Sequence, residues 1–162
     1  MRFWSWFANL YMDCVRGAKQ GMLSFRGTAH PPAGVSDADV ANLSTAEIAT
    51  TSLAGKPLLY EHNSGVRVGR CDASWEGRNG ELRVAGTVTD SRIAADMRRG
   101  KTVGLSLGTD VVQDQHGTAL YKQQAELSVC ADPRRPDCFV DVIDGRRVRT
   151  RRRHSAGNHG HR

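Results

Sequence analysis

Short stretches in which apolar and polar residues alternate recur along most of the chain. The stretch ELRVAGTVTD places Leu82, Val84 and Val88 on one side of an extended chain, and Arg83 and Thr87 on the other. Alternation with a period of two is typical of a β-strand that buries one of its faces. The same kind of pattern predicts further strands in the stretches MLSFRGTA, KPLLY, GVRVGR, VGLSLGT, AELSVC and DCFVDVI.

Two short helices and one hairpin turn are predicted between these strands. Ser44 and Glu47 fit the capping-box pattern at the start of a helix. Asp90 is a candidate N-cap for a second helix. The pair Asp144 and Gly145 is typical of a tight turn between two strands. Many short strands with few helices predict a mostly β fold, an antiparallel β-barrel or a sandwich with short surrounding helices.

The composition bounds the class of protein. The chain has 162 residues, of which 39% are hydrophobic and 25% charged, which is ordinary for one globular domain. No apolar run is long enough to cross a bilayer, so no membrane partner is expected. No glycine-rich loop follows a strand and opens a helix, which argues against nucleotide binding. We expect no bound metal or other cofactor, because metal-ligand spacing is missing among Cys14, Cys71, Cys130 and Cys138. We expect free thiols, with a disulfide between Cys130 and Cys138 as the alternative, because no secretory signal supports an oxidised pair.

The two ends of the chain differ from its middle. Residues 1–21 hold an aromatic-rich amphipathic segment, which we interpret as an N-terminal extension. Residues 22–148 carry the predicted strands and form the predicted domain. Residues 149–162 lack apolar periodicity and form a predicted basic, disordered tail. Much of the net charge of +6 lies at this end, where the candidates for nucleic-acid binding are Arg149, Arg151, Arg152 and Arg153.

Candidate chemistry begins with Ser106, which lies between Gly104 and Gly108 on one face of a predicted strand. The two glycines leave that face bare, which would let a substrate backbone lie close to the hydroxyl. A serine becomes nucleophilic when a base takes its proton, and the imidazole of His62 is a candidate base. Glu126 is an acidic residue inside an apolar strand, where its burial needs a partner such as a histidine. Taken singly, His62 also fits an ordinary turn residue and Glu126 a solvent-facing strand residue.

Three segments together resemble a known family. The stretches LLYEHNSGVRVGR, GKTVGLSLGTD and AELSVCADPRRPDC resemble, in this order, the capsid maturation proteases, which comprise the herpesvirus assemblins and the prohead proteases of tailed phages. The resemblance covers roughly residues 22–148. It implies that Ser106 is the nucleophile and His62 the general base. It also implies that Glu126 is the third catalytic residue, as in the phage enzymes, whereas the herpesvirus enzymes use a second histidine.

Two arginines extend the resemblance. The PRRP sequence that follows the strand of Glu126 is similar to the double arginine of the herpesvirus enzymes. By that likeness, Arg134 would contribute its backbone N–H to an oxyanion hole, and Arg135 its side chain through a water molecule. Donors that are preorganised toward the charge developing on a substrate carbonyl are a main source of catalytic rate. Without the resemblance, both arginines would be interpreted as ordinary surface charge.

The resemblance implies a function and a location. The implied function is a serine endopeptidase that cleaves a capsid scaffold protein, and its own precursor, inside the maturing procapsid of an infected cell. The basic tail also fits a nuclear-import signal. Whether the chain forms a homodimer stays open, because the herpesvirus enzymes dimerise through helices for which this shorter chain shows no counterpart. The alternative function is a catalytically idle capsid-assembly module that binds scaffold or nucleic acid through its tail.

Overall fold

The computed structural model describes residues 21–36 and 39–149 of the chain. The predicted N-terminal extension up to residue 20, and the predicted tail from residue 150, lie outside the described residues. The described part contains eight strands and two helices. The strands are β1 (Leu23–His30), β2 (Pro57–Tyr60), β3 (Asn63–Glu76), β4 (Leu82–Val88), β5 (Gly104–Gln113), β6 (Ala119–Cys130), β7 (Val140–Ile143) and β8 (Arg146–Arg147), and the helices are α1 (Thr45–Thr50) and α2 (Ser91–Arg98).

The strands form a single mixed sheet in the order β5-β6-β2-β3-β4-β1-β7-β8. Neighbouring strands are antiparallel except β2 and β6, where Leu58 lies beside Leu127 and Tyr60 beside Val129 in a parallel ladder. The predicted mostly β fold with few helices is confirmed. The predicted antiparallel barrel is not, because the sheet is mixed and its ladder does not close. Alternation within a strand reports which face is buried, and it does not report the direction of the neighbouring strand.

Strands near the two opposite ends of the sheet approach each other at one point. Gly104, at the start of β5, forms an isolated antiparallel bridge with Phe139, in the segment that leads into β7. Next to this bridge, the N–H of Leu105 donates to the carbonyl of Cys138 at 2.8 Å. The sheet is therefore curled, although this contact is too short to complete a barrel.

The core follows the alternating pattern seen in the sequence. In β4, Leu82, Val84 and Val88 are buried, whereas Arg83 and Thr87 are only half-buried. Removing such apolar side chains from water is the main favourable contribution to folding. The same buried cluster takes in side chains from other strands and both helices, among them Phe25, Ile48, Leu58, Met97 and Leu127.

Both predicted helix caps are confirmed. The hydroxyl of Ser44 accepts from the N–H of Glu47 at 3.3 Å, and the Glu47 carboxylate accepts from the N–H of Ser44 at 2.8 Å, so α1 begins with a complete capping box. At the start of α2, Oδ1 of Asp90 accepts from the N–H of Ile93 at 2.9 Å. These side chains satisfy backbone donors that every helix leaves unpaired at its start. Of the helices that the structure describes, none has the length and apolar character needed to span a bilayer.

The turn between β7 and β8 is also as predicted. Asp144 and Gly145 form it, with φ of 49° and 76°. A left-handed backbone at both central residues is what a type I′ hairpin turn requires, which explains the Asp-Gly pair.

Three cysteines lie in the described part of the chain, and all three are free and buried: Cys71, Cys130 and Cys138. Burial raises the pKa of the Cys71 thiol to about 11, and the pKa values of Cys130 and Cys138 to about 12. Because the thiolate is the reactive form of cysteine, these protonated thiols are poor nucleophiles at neutral pH.

Candidate active site

His62 lies in the tight turn between β2 and β3. Glu61 and His62 form the loop, with φ of 49° and 57°, and Tyr60 faces Asn63 across it. Two consecutive non-glycine residues with a left-handed backbone are uncommon, and such strain persists only where the surrounding structure holds it. Here the N–H of Glu61 donates to the carbonyl of Val129 at 3.1 Å. This bond extends the parallel ladder into the turn and holds the turn beside β6.

Ser106 and Glu126 come together through the register of β5 and β6. In this antiparallel pair, Ser106 lies opposite Ser128, and Gly108 lies opposite Glu126. Positions two residues apart along a strand share one face of the sheet, so all four residues lie on the same face. The side chains of Ser106 and Glu126 are buried, with only 5% and 9% of each residue exposed.

The imidazole of His62 joins these two side chains in one chain of hydrogen bonds. Its Nδ1 lies 2.5 Å from Oε1 of Glu126, and its Nε2 lies 2.9 Å from Oγ of Ser106. An ionised carboxylate can only accept, so we assign the ring proton to Nδ1, which leaves the Nε2 lone pair facing the serine hydroxyl. In this arrangement an imidazole can take a proton from a hydroxyl while a carboxylate stabilises the resulting cation. The structure thus brings together all three residues that the sequence singled out.

Gly108 has a role that differs from the one suggested by the sequence. A Cβ atom at this position would lie 2.2 Å from Oε1 of Glu126, far inside van der Waals contact. At Gly104, a Cβ atom would lie 2.8 Å from the carbonyl oxygen of Cys130 and from Cδ of Pro133. The space that a Cβ atom would take at these two glycines is therefore filled by the protein itself, and is not left open for a substrate backbone as the sequence suggested. In particular, the absence of a side chain at Gly108 is what lets the Glu126 carboxylate reach the imidazole.

An open cleft of about 380 Å³ lies beside the hydrogen-bonded chain. The cleft gives solvent access to the otherwise buried Ser106, and the His62 side chain is 43% exposed at its edge. Concave sites with a few convergent polar groups are the usual binding places for small molecules and extended chains. The cleft is lined by Glu61, His62, Ser106, Leu107, Gly108, Thr109, Cys130, Asp132 and Arg134.

The two arginines proposed for the oxyanion hole lie in different environments. Arg134 lines the cleft, and its guanidinium forms an ion pair with the carboxylate of Asp39. Arg135 is buried, and its Nε donates to Oδ1 of Asn42 at 2.8 Å while its Nη2 donates to the carbonyl of Ala41 at 3.0 Å. The guanidinium of Arg135 therefore ties the segment after β6 to the segment before α1, a placement that the sequence did not indicate.

A fourth polar side chain belongs to this constellation and was not singled out from the sequence. Ser128 is fully buried, and its hydroxyl donates to Oε2 of Glu126 at 2.8 Å. The same hydroxyl oxygen accepts from the backbone N–H of His62 at 3.1 Å. A signal for Ser128 was available in the sequence, because a small polar residue two positions after Glu126 must share the face of that carboxylate.

Comparison with known proteins identifies solved structures that share this fold. No family model and no curated protein matches the sequence. The protease of Kaposi's sarcoma-associated herpesvirus (KSHV), in complex with a hexapeptide phosphonate inhibitor, aligns with a TM-score of 0.55 at 15% identity, over 76% of this chain and 65% of that chain. The varicella-zoster virus protease aligns with a TM-score of 0.51 at 15% identity, over 76% of this chain and 64% of that chain. The chain has the herpesvirus protease fold.

The shared fold confirms the family resemblance that was based on the sequence, as far as the fold is concerned. This chain spans 65% and 64% of the lengths of the two viral proteases. Glu126 bonds the imidazole of His62, where the herpesvirus pattern would lead one to expect a second histidine. An ionised carboxylate stabilises an adjacent imidazolium more strongly than a neutral imidazole does.

Proposed function

We propose that this chain is a serine endopeptidase that cleaves a capsid scaffold protein, and its own precursor, while a viral procapsid matures. The observation that carries the proposal is the continuous chain of hydrogen bonds from Glu126 through His62 to Ser106, beside an open cleft. The fold supports it, because the chain shares that fold with the proteases of two herpesviruses.

Acylation begins when Oγ of Ser106 attacks the carbonyl carbon of the scissile peptide bond and Nε2 of His62 takes the hydroxyl proton. The imidazolium is stabilised by Glu126, whose Oε1 lies 2.5 Å from Nδ1. The C–N bond then breaks while Nε2 returns the proton to the leaving amine, and an acyl ester remains on Ser106. In the second half, His62 takes a proton from water, the hydroxide attacks the ester, and Ser106 leaves with the proton restored.

The developing oxyanion needs donors, and we propose the backbone N–H of Arg134 for this role. Its support is that Arg134 lines the same cleft as Ser106. For Arg135 we propose an indirect role in place of the expected contact through a water molecule, because the bonds of its side chain to Asn42 and Ala41 anchor the segment that carries Arg134. Removing one donor of an oxyanion hole typically lowers the rate by about 10²- to 10³-fold.

A peptide is the class of substrate that we assign to the cleft. The KSHV protease binds a hexapeptide phosphonate inhibitor, and the cleft beside Ser106 is open to solvent as an extended peptide requires. The scaffold substrate and the procapsid location follow from the family resemblance. The basic residues Arg149 to Arg153 would then contact scaffold or nucleic acid, and Arg149, the one among them that the structure describes, is exposed.

A fluorophosphonate probe tests the proposal, because such probes label only activated serines. We expect labelling of Ser106 alone, mapped by peptide mass spectrometry, and no labelling in Ser106→Ala or His62→Ala. Labelling that persists in Ser106→Ala would place the nucleophile elsewhere. A folded wild-type chain that is not labelled at all would instead favour the catalytically idle assembly module, and binding assays with scaffold protein and nucleic acid would then follow.

A further inference from the structure

The hydroxyl of Ser128 connects two members of the proposed catalytic group. It donates to Oε2 of Glu126 at 2.8 Å and accepts from the backbone N–H of His62 at 3.1 Å. Ser128 is 0% exposed, so neither of these bonds competes with solvent. A buried hydroxyl requires hydrogen-bond partners. Here both partners belong to the group that surrounds Ser106.

The first consequence concerns the orientation of the carboxylate. Oε1 of Glu126 is used by Nδ1 of His62 at 2.5 Å, and Oε2 is used by the hydroxyl of Ser128. With both oxygens bonded, the carboxylate plane is fixed, and Oε1 stays directed at the ring. Without Ser128, one oxygen of a buried ionised group would lose its donor, which costs free energy.

The second consequence concerns the backbone of His62. This residue has φ of 57° in a turn that already includes Glu61 at 49°. A left-handed backbone at a residue other than glycine costs free energy and needs support from its surroundings. The bond from the His62 N–H to Ser128 supplies that support from β6, the same strand that carries Glu126. The backbone and the ring of His62 are therefore held to one strand by adjacent bonds.

We propose that Ser128 is a positioning residue of the active site, which holds the Glu126 carboxylate and the His62 backbone in a fixed relation. This inference rests on the proposed peptidase function and deepens it. The hydroxyl of Ser128 bonds Glu126 and His62, so it acts on Ser106 through these two residues.

The test measures the rate of Ser106 labelling by a fluorophosphonate in wild type, Ser128→Ala and Ser128→Thr. Ser128→Ala should label about ten- to a hundredfold more slowly, the effect of losing a hydrogen bond to a charged group. Ser128→Thr keeps the hydroxyl and should retain most of the wild-type rate. If the added methyl group of threonine disturbs folding, Ser128→Cys is used in place of Ser128→Thr. In a Glu126→Ala background, Ser128→Ala should lower the labelling rate much less, because the main partner of the Ser128 hydroxyl is already absent.

A matched control is available in β3. The hydroxyl of Ser74, like that of Ser128, accepts one hydrogen bond and donates another: it accepts from the N–H of Leu53 at 2.9 Å and donates to the carbonyl of Thr51 at 3.2 Å. It touches none of Ser106, His62 and Glu126. Ser74→Ala should therefore lower stability while leaving the labelling rate unchanged.

Proton NMR separates this inference from the proposed function. In wild type, the Nδ1–H proton of His62, assigned by comparison with His62→Gln, should give a low-field signal that moves upfield or broadens in Ser128→Ala but not in Ser74→Ala. A changed signal in a protein that no probe labels would refute the peptidase and retain the positioning role. The positioning role itself is overturned by an unchanged signal in Ser128→Ala. In a protein that the probe labels, it is also overturned by an unchanged labelling rate in Ser128→Ala, or by an equal loss of rate in the Glu126→Ala background.

Discussion

The two halves of the β5–β6 hairpin share one antiparallel ladder but have opposite characters. In the inner half, Ser106 lies opposite Ser128 and both side chains are buried. In the outer half, Val112 lies opposite Tyr121, and these residues are 55% and 57% exposed. The difference is a third strand, because β2 pairs with β6 only along the inner half. The candidate site lies where that third strand ends in a turn and delivers His62.

Because its polar side chains are buried, the inner half requires a hydrogen-bond partner for each of them, whereas the outer half is exposed to water. A polar group removed from water costs free energy unless it is hydrogen-bonded, and buried networks tolerate few changes. Within the described residues, no buried side-chain N or O atom lacks a partner. In the outer half, Thr109 donates to Gln124 at 2.7 Å at the point where exposure begins. Substitutions should therefore have effects that fall steeply from the inner half to the tip.

After Ser106 and His62 themselves, the largest effect is expected at Glu126. Glu126→Ala and Glu126→Gln should lower the single-turnover labelling rate of Ser106 by about 10²- to 10⁴-fold, because the imidazolium loses its counter-charge. Glu126→His mimics the second histidine of the herpesvirus enzymes and should retain more activity than Glu126→Ala. Gln124→Ala, on the same strand, is the control and should behave as wild type. Near-wild-type labelling rates for folded Glu126→Gln and Glu126→Ala would show that the third catalytic residue is not Glu126.

Gly108→Ala should have the next largest effect. The added Cβ would lie 2.2 Å from Oε1 of Glu126, so the carboxylate must move away from the ring. We expect a loss of labelling rate of about tenfold or more, and a loss of stability of about 1–3 kcal/mol from overpacking. Gly65→Ala is the control, because there the nearest atom, Oδ1 of Asn63, lies 3.3 Å from the added Cβ. Unchanged labelling in Gly108→Ala, measured beside urea unfolding, would contradict this explanation of the glycine.

A smaller, pH-dependent effect is expected at His30, which supports the segment contacted by Arg135. Its Nε2 accepts from the N–H of Leu43 at 3.0 Å, and its Nδ1–H donates to the carbonyl of Pro31 at 2.6 Å. Burial lowers the pKa of His30 below its ordinary value of 6.5. The unfolded chain therefore binds the proton more tightly than the folded chain, so stability is complete above pH 6.5 and declines as the pH falls below it.

Urea unfolding at pH 7.5 and pH 5 measures this decline. His30→Gln keeps an acceptor and a donor but cannot be protonated, so it should be less stable at pH 7.5 and lose less stability at pH 5. An equal pH dependence in wild type and His30→Gln would assign the decline to other groups.

The smallest effect is expected at the tip of the hairpin. Leu120 is 68% exposed, and it lies beside the exposed Tyr121. Leu120→Ser and Tyr121→Ser should change the free energy of unfolding by no more than about 0.5 kcal/mol, as surface substitutions usually do. The labelling rate of Ser106 should also be unchanged. A clear loss of labelling would show that the outer half takes part in the site and would remove the contrast between the two halves.

Part of the site followed from residue types. Ser106 between glycines, an acidic residue inside an apolar strand and a histidine after a strand are chemically complementary, and together with the family resemblance they named the three residues. The sequence did not single out Ser128, because a serine in a strand has many ordinary roles. The positioning role proposed for it rests on two hydrogen-bond partners that only the tertiary structure identifies.

The sequence by itself determined the local elements of this protein. The alternation in β4 and the caps at Ser44 and Asp90 depend on residues a few positions apart, whose geometry the chain itself enforces. Only the tertiary structure decided the parallel pairing of β2 with β6, and with it the meeting of His62 with Ser106 and Glu126, which lie 44 and 64 positions away. Such contacts depend on the register between strands that are distant along the chain, and no pattern within either strand encodes that register.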